Sequence, residues 1–512
     1  MSPGPVGDVR AAFAGAVGVT FLGQLVSVVY EIAVAARFGT TWQGDALALA
    51  FIVPFALGHE TTVWIASAFL PVYLEIRTRH GPLAARALFF RSAVVVGVVA
   101  GLLAGAWALA APWLVMLLAG EQAPEPAAVT VRLFRLFGLL LLFIPFAALL
   151  ARALEAHRSF LLPATRQLCW YGGALALVLL ATGALGPAAV PLGMDVGLAV
   201  YLLILLASAR RRLGALAEGS GETGEGTRQL ARLLPPLVVG SLATWLNVLA
   251  ERALAARQQV GSLAALTYAF RLLNFPLSLF LLNATAILFP TLALHAARLE
   301  RGALATLTAR ALRVTFFFVF PLAALAAGLA VPLVQVAFER GAFTRSSTAA
   351  TSLALALYAP GLLGLAGVQV LTRSYQALQL VSRMVAVGIA VAALNVVTMV
   401  GLTVWIGFAG IPLAWSFTSW VHLAALLYGI RADLRDLDLA QLGATLRRCG
   451  AAAGVAGAAA WITASLLGQG ATLRLLAGGL VGVAAYALLV FGIAREEART
   501  ALTAAMPGLR WG

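Results

Sequence analysis

The sequence predicts an all-α integral membrane protein of about fourteen transmembrane helices, arranged as two parallel-repeat six-helix lobes around a central cavity plus two C-terminal helices. Three observations predict it. The 512-residue chain is 62% hydrophobic and only 11% charged, where a soluble domain carries about 25% charge. Apolar runs of roughly 20 residues, each enough to cross a bilayer, recur from end to end. A pattern of residues also returns after about 220 positions, the mark of an internal duplication.

Each run reads as a helix. Hydrocarbon offers no partner for backbone polar groups, so only helices and closed barrels span it, and these runs are continuous rather than alternating. In order they are 11–36, 45–74, 92–118, 130–151, 160–182, 187–208, 231–256, 264–294, 311–338, 348–371, 384–406, 409–430, 449–468 and 475–494. The first is too long for a signal peptide and lacks a small-residue cleavage site, so it reads as a retained span.

The formal net charge of +15 raises nucleic acid as a partner, and its distribution argues against that. Every basic residue is arginine, and the arginines concentrate in the N-terminus, alternate loops and the C-terminus. Arg77, Arg79, Arg86 and Arg91 share one loop, Arg210–Arg212 another, Arg298, Arg301, Arg310 and Arg313 a third, and Arg447 and Arg448 a fourth. By the positive-inside rule these loops are cytoplasmic, and EQAPEPAA at 121–128 faces outward. An even span count then puts both termini in the cytoplasm. Cys169 and Cys449 lie in or beside predicted helices and imply neither a disulfide framework nor a metal site. No histidine cluster, phosphate-cradling glycine loop or nucleophile–base pair supports an enzyme.

One stretch reads as a linker: ARRRLGALAEGSGETGEGTR, 209–228, rich in Gly and Glu and without apolar period. It divides an N-lobe, 1–208, from a C-lobe, 229–432, with the last two spans and tail at 433–512. Across it EIAVAAR at 31–37 matches ERALAAR at 251–257, LALAF at 47–51 matches ALTYAF at 265–270, Pro71 matches Pro290, and RALEA at 152–156 matches RSYQA at 373–377. A shift of six spans preserves orientation, so the repeat is parallel, about an axis along the membrane normal. Sites in repeat-built transporters lie between lobes near the midplane, which makes Glu31 and Glu251 candidates for facing a cavity. The alternative is that each lies near a helix end and pairs with a neighbouring arginine.

The chain resembles the MurJ (MviN) family, within the superfamily of multidrug exporters and polysaccharide flippases. The residues that carry the resemblance are GQLVSVVYEIAVAARFGTTWQGDALALAFIVP at 23–54, ASAFLPVYLE at 66–75, YAFRLLNFP at 268–276, FERGAFT at 338–344 and LTRSYQALQLVSR at 371–383. The family fold is two six-helix lobes around a central cavity, with two further helices forming a groove for a lipid tail. The resemblance implies a flippase in the bacterial cytoplasmic membrane. Its substrate is an undecaprenyl-pyrophosphate-linked saccharide, by default the peptidoglycan precursor lipid II, moved by alternating access.

The resemblance also implies a substrate site. Family arginines hold the pyrophosphate, because a guanidinium fork pairs with phosphate oxygens. Arg271 matches one of them. Two on the first helix are replaced here by Gln24 and Tyr30, and a third, early in the second helix, falls at Gly58-His59-Glu60. The implied substrate contacts are Arg271, Glu31, Asp45, His59, Gln24 and Tyr30. His59 reads equally as a neutral hydrogen-bonding residue. Arg271 reads equally as an ion pair with a neighbouring carboxylate such as Glu251. Arg132 and Arg135, one helical turn apart, line the cavity or sit at the outer interface.

For coupling, the family pattern of Asn then acid four residues on appears at Asn247 and Glu251. Asn395 and either Ser416 or Thr418 complete an oxygen set suited to sodium, while Met399 stands where a carboxylate is expected. Polar interhelical bonding is the plainer reading, and Glu31 and Glu251 as proton carriers is another. The expected ligands are thus a polyprenyl-pyrophosphate-linked saccharide, membrane lipids and a coupling sodium ion or proton. No cofactor, no certain metal and no nucleic acid is expected. The protein is expected to be a monomer, with cell-wall synthesis proteins as partners. The missing arginines keep two alternatives open: export of another lipid-linked glycan for capsule or exopolysaccharide, and a transport-inactive membrane scaffold.

Overall fold

A computed structural model describes residues 5–120, 123–157, 159–213, 224–298, 300–468 and 470–493. The middle of the predicted linker, 214–223, and the tail from 494 lie outside them. All regular structure among the described residues is helical. The chain separates into two compact units, one of Met1–Leu263 with Arg340–Ala342, the other of Ala264–Glu339 with Phe343–Gly512.

The first unit holds α1 (Pro5–Phe38), α2 (Trp42–Ala119), α3 (Pro124–Phe137), α4 (Leu140–Ala156), α5 (Leu161–Ala164), α6 (Arg166–Leu180), α7 (Thr182–Leu185), α8 (Ala189–Leu213) and α9 (Glu225–Ala256). The second holds nearly all of α10 (Ser262–Ala297), then α11 (Arg301–Gly328), α12 (Ala330–Phe338), α13 (Arg345–Tyr358), α14 (Gly361–Ala377), α15 (Val381–Ile406), α16 (Gly410–Ile430), α17 (Leu439–Leu466) and α18 (Ala471–Ile493). The predicted C-lobe starts at 229, whereas the compact first unit keeps α9. The start of α9 is tied to α2: Gln229 Nε2 donates to Glu75 at 3.2 Å, and a Cβ on Gly226 would lie 3.0 Å from Leu88.

Eight stretches among the described residues are long and apolar enough to cross a membrane, or nine with α13 and α14 taken as one bent span. This is a multi-pass membrane protein. Two of the eight are long enough for two crossings each. The 78 residues of α2 would reach about 117 Å at 1.5 Å per residue, against roughly 30 Å of hydrocarbon. The helix breaks at Gly81, where φ is +87°, between the predicted spans 45–74 and 92–118. The arginine-rich segment between those spans is thus helical rather than a loop. Glu75 and Arg79 pair at 3.0 Å one turn apart, a spacing that supports helix. Val381–Ile430, 50 residues, is likewise the pair α15 and α16. The predicted run 311–338 is interrupted at Leu329, between α11 and α12.

Small residues set the helix contacts. In the first unit Gly193 and Gly197, four apart on α8, press on α6: a Cβ on Gly197 would lie 2.2 Å from the Cys169 carbonyl, and one on Gly173 would lie 2.4 Å from the Gly193 carbonyl. Such spacing lets membrane helices approach to backbone contact. In the second unit Gly328 of α11 meets Gly457 of α17 in the same way, at 2.5 Å.

Candidate functional site

Arg271 follows a run of aromatic anchors on α10. Tyr268 packs against Phe338 and Phe343, with ring centroids 5.3 and 5.7 Å away. Phe270 sits edge-on to Tyr358 and Trp415 at 5.6 and 5.4 Å, and those two rings also meet at 5.4 Å. Two motifs singled out in the sequence, YAFR and FERGAFT, therefore pack on each other. Buried rings on both sides fix the α10 backbone and hold the half-buried Arg271 in register.

The predicted cation residues of the second unit also converge. Thr418 Oγ1 donates to Asn395 Oδ1 at 2.8 Å, joining α16 to α15, and each residue is 3% exposed. Thr418 also bonds the Ala414 carbonyl at 2.8 Å. Met399, 1% exposed, lies one turn beyond Asn395. Ser416 turns elsewhere, to the break between α13 and α14, where the helices bend by 46°. Its hydroxyl accepts the Gly361 N–H at 3.1 Å and donates to the Leu357 carbonyl. Trp420 Nε1 caps the same break by donating to the Pro360 carbonyl at 3.0 Å.

In the first unit Gln24 and Tyr30, which match two lost arginines, are uncharged, Gln24 half-buried and Tyr30 buried. Tyr30 is 4% exposed and meets Tyr171 at 5.3 Å. Tyr171 stacks on Trp170 at 5.8 Å, and Trp170 meets Phe55 at 5.5 Å. His59 stacks on Phe55 at 6.3 Å, so it belongs to the edge of this aromatic group. Half-buried Gln24 interacts within its own helix: Ser27 Oγ donates to its carbonyl at 2.7 Å. Glu31 is half-buried beside Tyr30, and Asn247 and Glu251 are half-buried on one face of α9.

Asp45 has a backbone role. Its Oδ2 accepts the Gly261 N–H at 2.5 Å. Gly261 adopts φ +92°, and a Cβ there would lie 2.2 Å from the Thr40 carbonyl, so this approach requires glycine. Trp42, Asp45, Thr130 and Gln258 border a small cavity of about 80 Å³ beside it. Arg132 and Arg135 are exposed, and Arg135 Nε donates to the Ala108 carbonyl at 3.2 Å. Among the described residues no group of three or more His, Cys, Asp or Glu is placed to hold a metal ion. The aromatic group around Trp170 and the buried Asp195 were not singled out from sequence. For Asp195 the signal was there, an acid inside the predicted span 187–208.

The family model described as lipid II flippase MurJ matches residues 34–480. The chain belongs to the MurJ family. Among curated MurJ relatives, the lipid II flippase MurJ of Burkholderia cenocepacia is 25% identical over 426 residues, covering 81% of this chain and 82% of the relative. The probable lipid II flippase MurJ of Rhizobium meliloti is 29% identical over 376 residues, covering 68% and 67%. Among solved structures, a lipid II flippase MurJ in an inward closed conformation aligns with TM-score 0.76 at 18% identity, covering 94% of this chain and 99% of that one. An inward-facing multidrug MATE transporter of the MOP superfamily aligns with TM-score 0.71 at 12% identity, covering 83% and 98%. At these identities the structural likenesses establish the fold, which MurJ shares with the wider superfamily.

Proposed function

We propose that this protein flips lipid II from the cytoplasmic to the outer leaflet of the bacterial cytoplasmic membrane by alternating access, with both termini in the cytoplasm. The match of the MurJ model across residues 34–480 carries this reading. Arg271 supplies the charge for the pyrophosphate. Its fork makes paired, charge-assisted hydrogen bonds, and the ring contacts of Tyr268 and Phe270 keep its helix in place. Gln24 and Tyr30 add no cation. Tyr30 contributes shape instead, and pyrophosphate binding rests more heavily on Arg271 than a full arginine set would require. Glu31, Asp45 and His59 are the further candidate contacts. The lipid tail stays among membrane lipids. The protein works as a monomer, beside cell-wall synthesis proteins that supply and consume the lipid.

For coupling we favour a proton over sodium. Asn395 Oδ1 is already engaged by Thr418, Ser416 serves the α13–α14 break, and Met399 supplies no carboxylate. Asn247 and Glu251 remain candidates for the first unit.

Native mass spectrometry of gently purified protein tests the substrate. Lipid II retained by wild type and lost in Arg271→Ala supports the reading. Another polyprenyl-linked saccharide, lost in the same variant, moves the protein to capsule or exopolysaccharide export. Bulk phospholipid alone in both overturns the flippase reading in favour of a scaffold.

A further inference from the structure

Asp195 lies near the middle of the membrane stretch Thr182–Arg211. It is 7% exposed, and among the described residues neither carboxylate oxygen has a hydrogen-bond partner. The face of α8 that meets α6 is built for close packing by small residues. Gly193 and Gly197 press on α6. Asp195 is two residues from each, hence roughly 200° around the helix from that contact. α4, which also packs along α8, buries Leu140, Ile144 and Ala147 and is apolar through its first turns.

Among the described residues no charged or titratable group on the neighbouring helices hydrogen-bonds to Asp195. On α4, Arg152 and Glu155 pair with each other at 2.6 Å. On α3, Arg132 and Arg135 are exposed. On α6, Tyr171 is stacked among rings, and Arg166 and Cys169 make no hydrogen bond or ion pair with Asp195. On α2, His59 is stacked on Phe55, and neither it nor Glu60 reaches Asp195. On α8 itself, Tyr201 donates to the Pro163 carbonyl at 3.1 Å.

An ionised carboxylate in such a place has neither counter-charge nor donor, and intramembrane acids persist where they serve a transport or proton path. A hard metal cation needs several oxygen ligands. A proton needs one oxygen, which is what Asp195 offers. We propose that Asp195 is a proton-binding site of the first unit, filled in this conformation and exchanged with water when α8 moves against α4. One proton from water adds to one carboxylate oxygen to give the neutral acid, and the reverse step returns it to water, with no electron transferred. The exchange rests on the flippase reading; the bound proton does not.

Infrared difference spectroscopy of the reconstituted full chain tests the bound proton directly. The wild type is expected to show a protonated-carboxyl band that persists at neutral pH and disappears in Asp195→Asn. The titration of the wild type stands on its own even where the variant folds poorly. Absence of the band at neutral pH overturns the proposal whatever the flipping activity. The coupling role is read from lipid II flipping in vesicles with and without a pH gradient. Loss of the gradient response in Asp195→Asn, with lipid II still bound, supports it. A full gradient response in that variant overturns it. A wild type that binds the proton and flips no lipid II removes the flippase reading and leaves the site standing.

Discussion

Tyr268 of α10 and Phe343 of the FERGAFT segment stand edge to face, ring centroids 5.7 Å apart. Phe338, at the end of α12, closes the group by meeting both, at 5.3 Å from Tyr268 and 5.6 Å from Phe343. The contact gives a physical reason for two family motifs that the sequence alone leaves as separate strings. One carries Arg271, and the other seats the helix that presents it.

Phe343 is 1% exposed, so Phe343→Ala leaves a cavity and is expected to lower stability by about 3–5 kcal/mol. Thermal unfolding in detergent reads the loss as a lower Tm. Lipid II retention should fall with it, although Phe343 carries no charge.

Ser416→Ala removes the acceptor of the Gly361 N–H at a helix break inside the protein. A buried donor left unmade costs about 1–3 kcal/mol. The expected result is a lower Tm with binding of lipid II retained at temperatures where the variant is folded.

Gly197→Ala sets a methyl group 2.2 Å from the backbone carbonyl of Cys169. Overpacking of this kind costs about 1–3 kcal/mol. Gly172→Ala, on the same pair of helices with nothing within 4 Å of the new atom, should be neutral or slightly stabilising, since alanine favours helix by about 1 kcal/mol over glycine. Equal Tm values for the two variants would contradict the close α6–α8 contact.

Much of this architecture was legible in the sequence, because hydrocarbon tolerates so few backbone arrangements. The run 130–151 lies in the membrane stretch Pro124–Ala156, the run 449–468 follows α17 to its end at Leu466, and the family motifs pointed to the fold before any geometry. What was not legible turns on local chemistry that apolarity does not report. The segment with Arg77 and Arg79 is charged, which reads as a loop, yet the Glu75–Arg79 pair continues the helix to Gly81. Tyr30 registers in a motif comparison only as a missing arginine. Its role appears once Tyr171, far along the chain, is beside it. Ser416 and Thr418 look equivalent as oxygen donors two residues apart, but successive helix positions point to different neighbours, one to the α13–α14 break and the other to Asn395. Asp195 is hidden in the sequence because one acid barely lowers the hydropathy of a long span such as Thr182–Arg211.

Thr418→Val tests the reading of the Asn395 pair as an interhelical clamp. Polar contacts between membrane helices average about 0.6 kcal/mol, so a small Tm decrease is expected. Flipping should be equal in sodium and potassium media for both wild type and variant. A sodium requirement in wild type that Thr418→Val abolishes would make the pair a cation site instead.

In the proposed function, Arg271 alone does what several family arginines are expected to do together. Lipid II flipping by Arg271→Ala in reconstituted vesicles tests it most directly, with Arg271→Lys alongside. A charge-assisted hydrogen-bonded contact is worth about 1.5–3 kcal/mol, so the alanine variant should lose roughly ten- to hundredfold in lipid II affinity, with flipping reduced to match and lysine restoring only part. Flipping by Arg271→Ala at the wild-type rate, with lipid II still bound, would contradict the claim and place the pyrophosphate elsewhere in the protein.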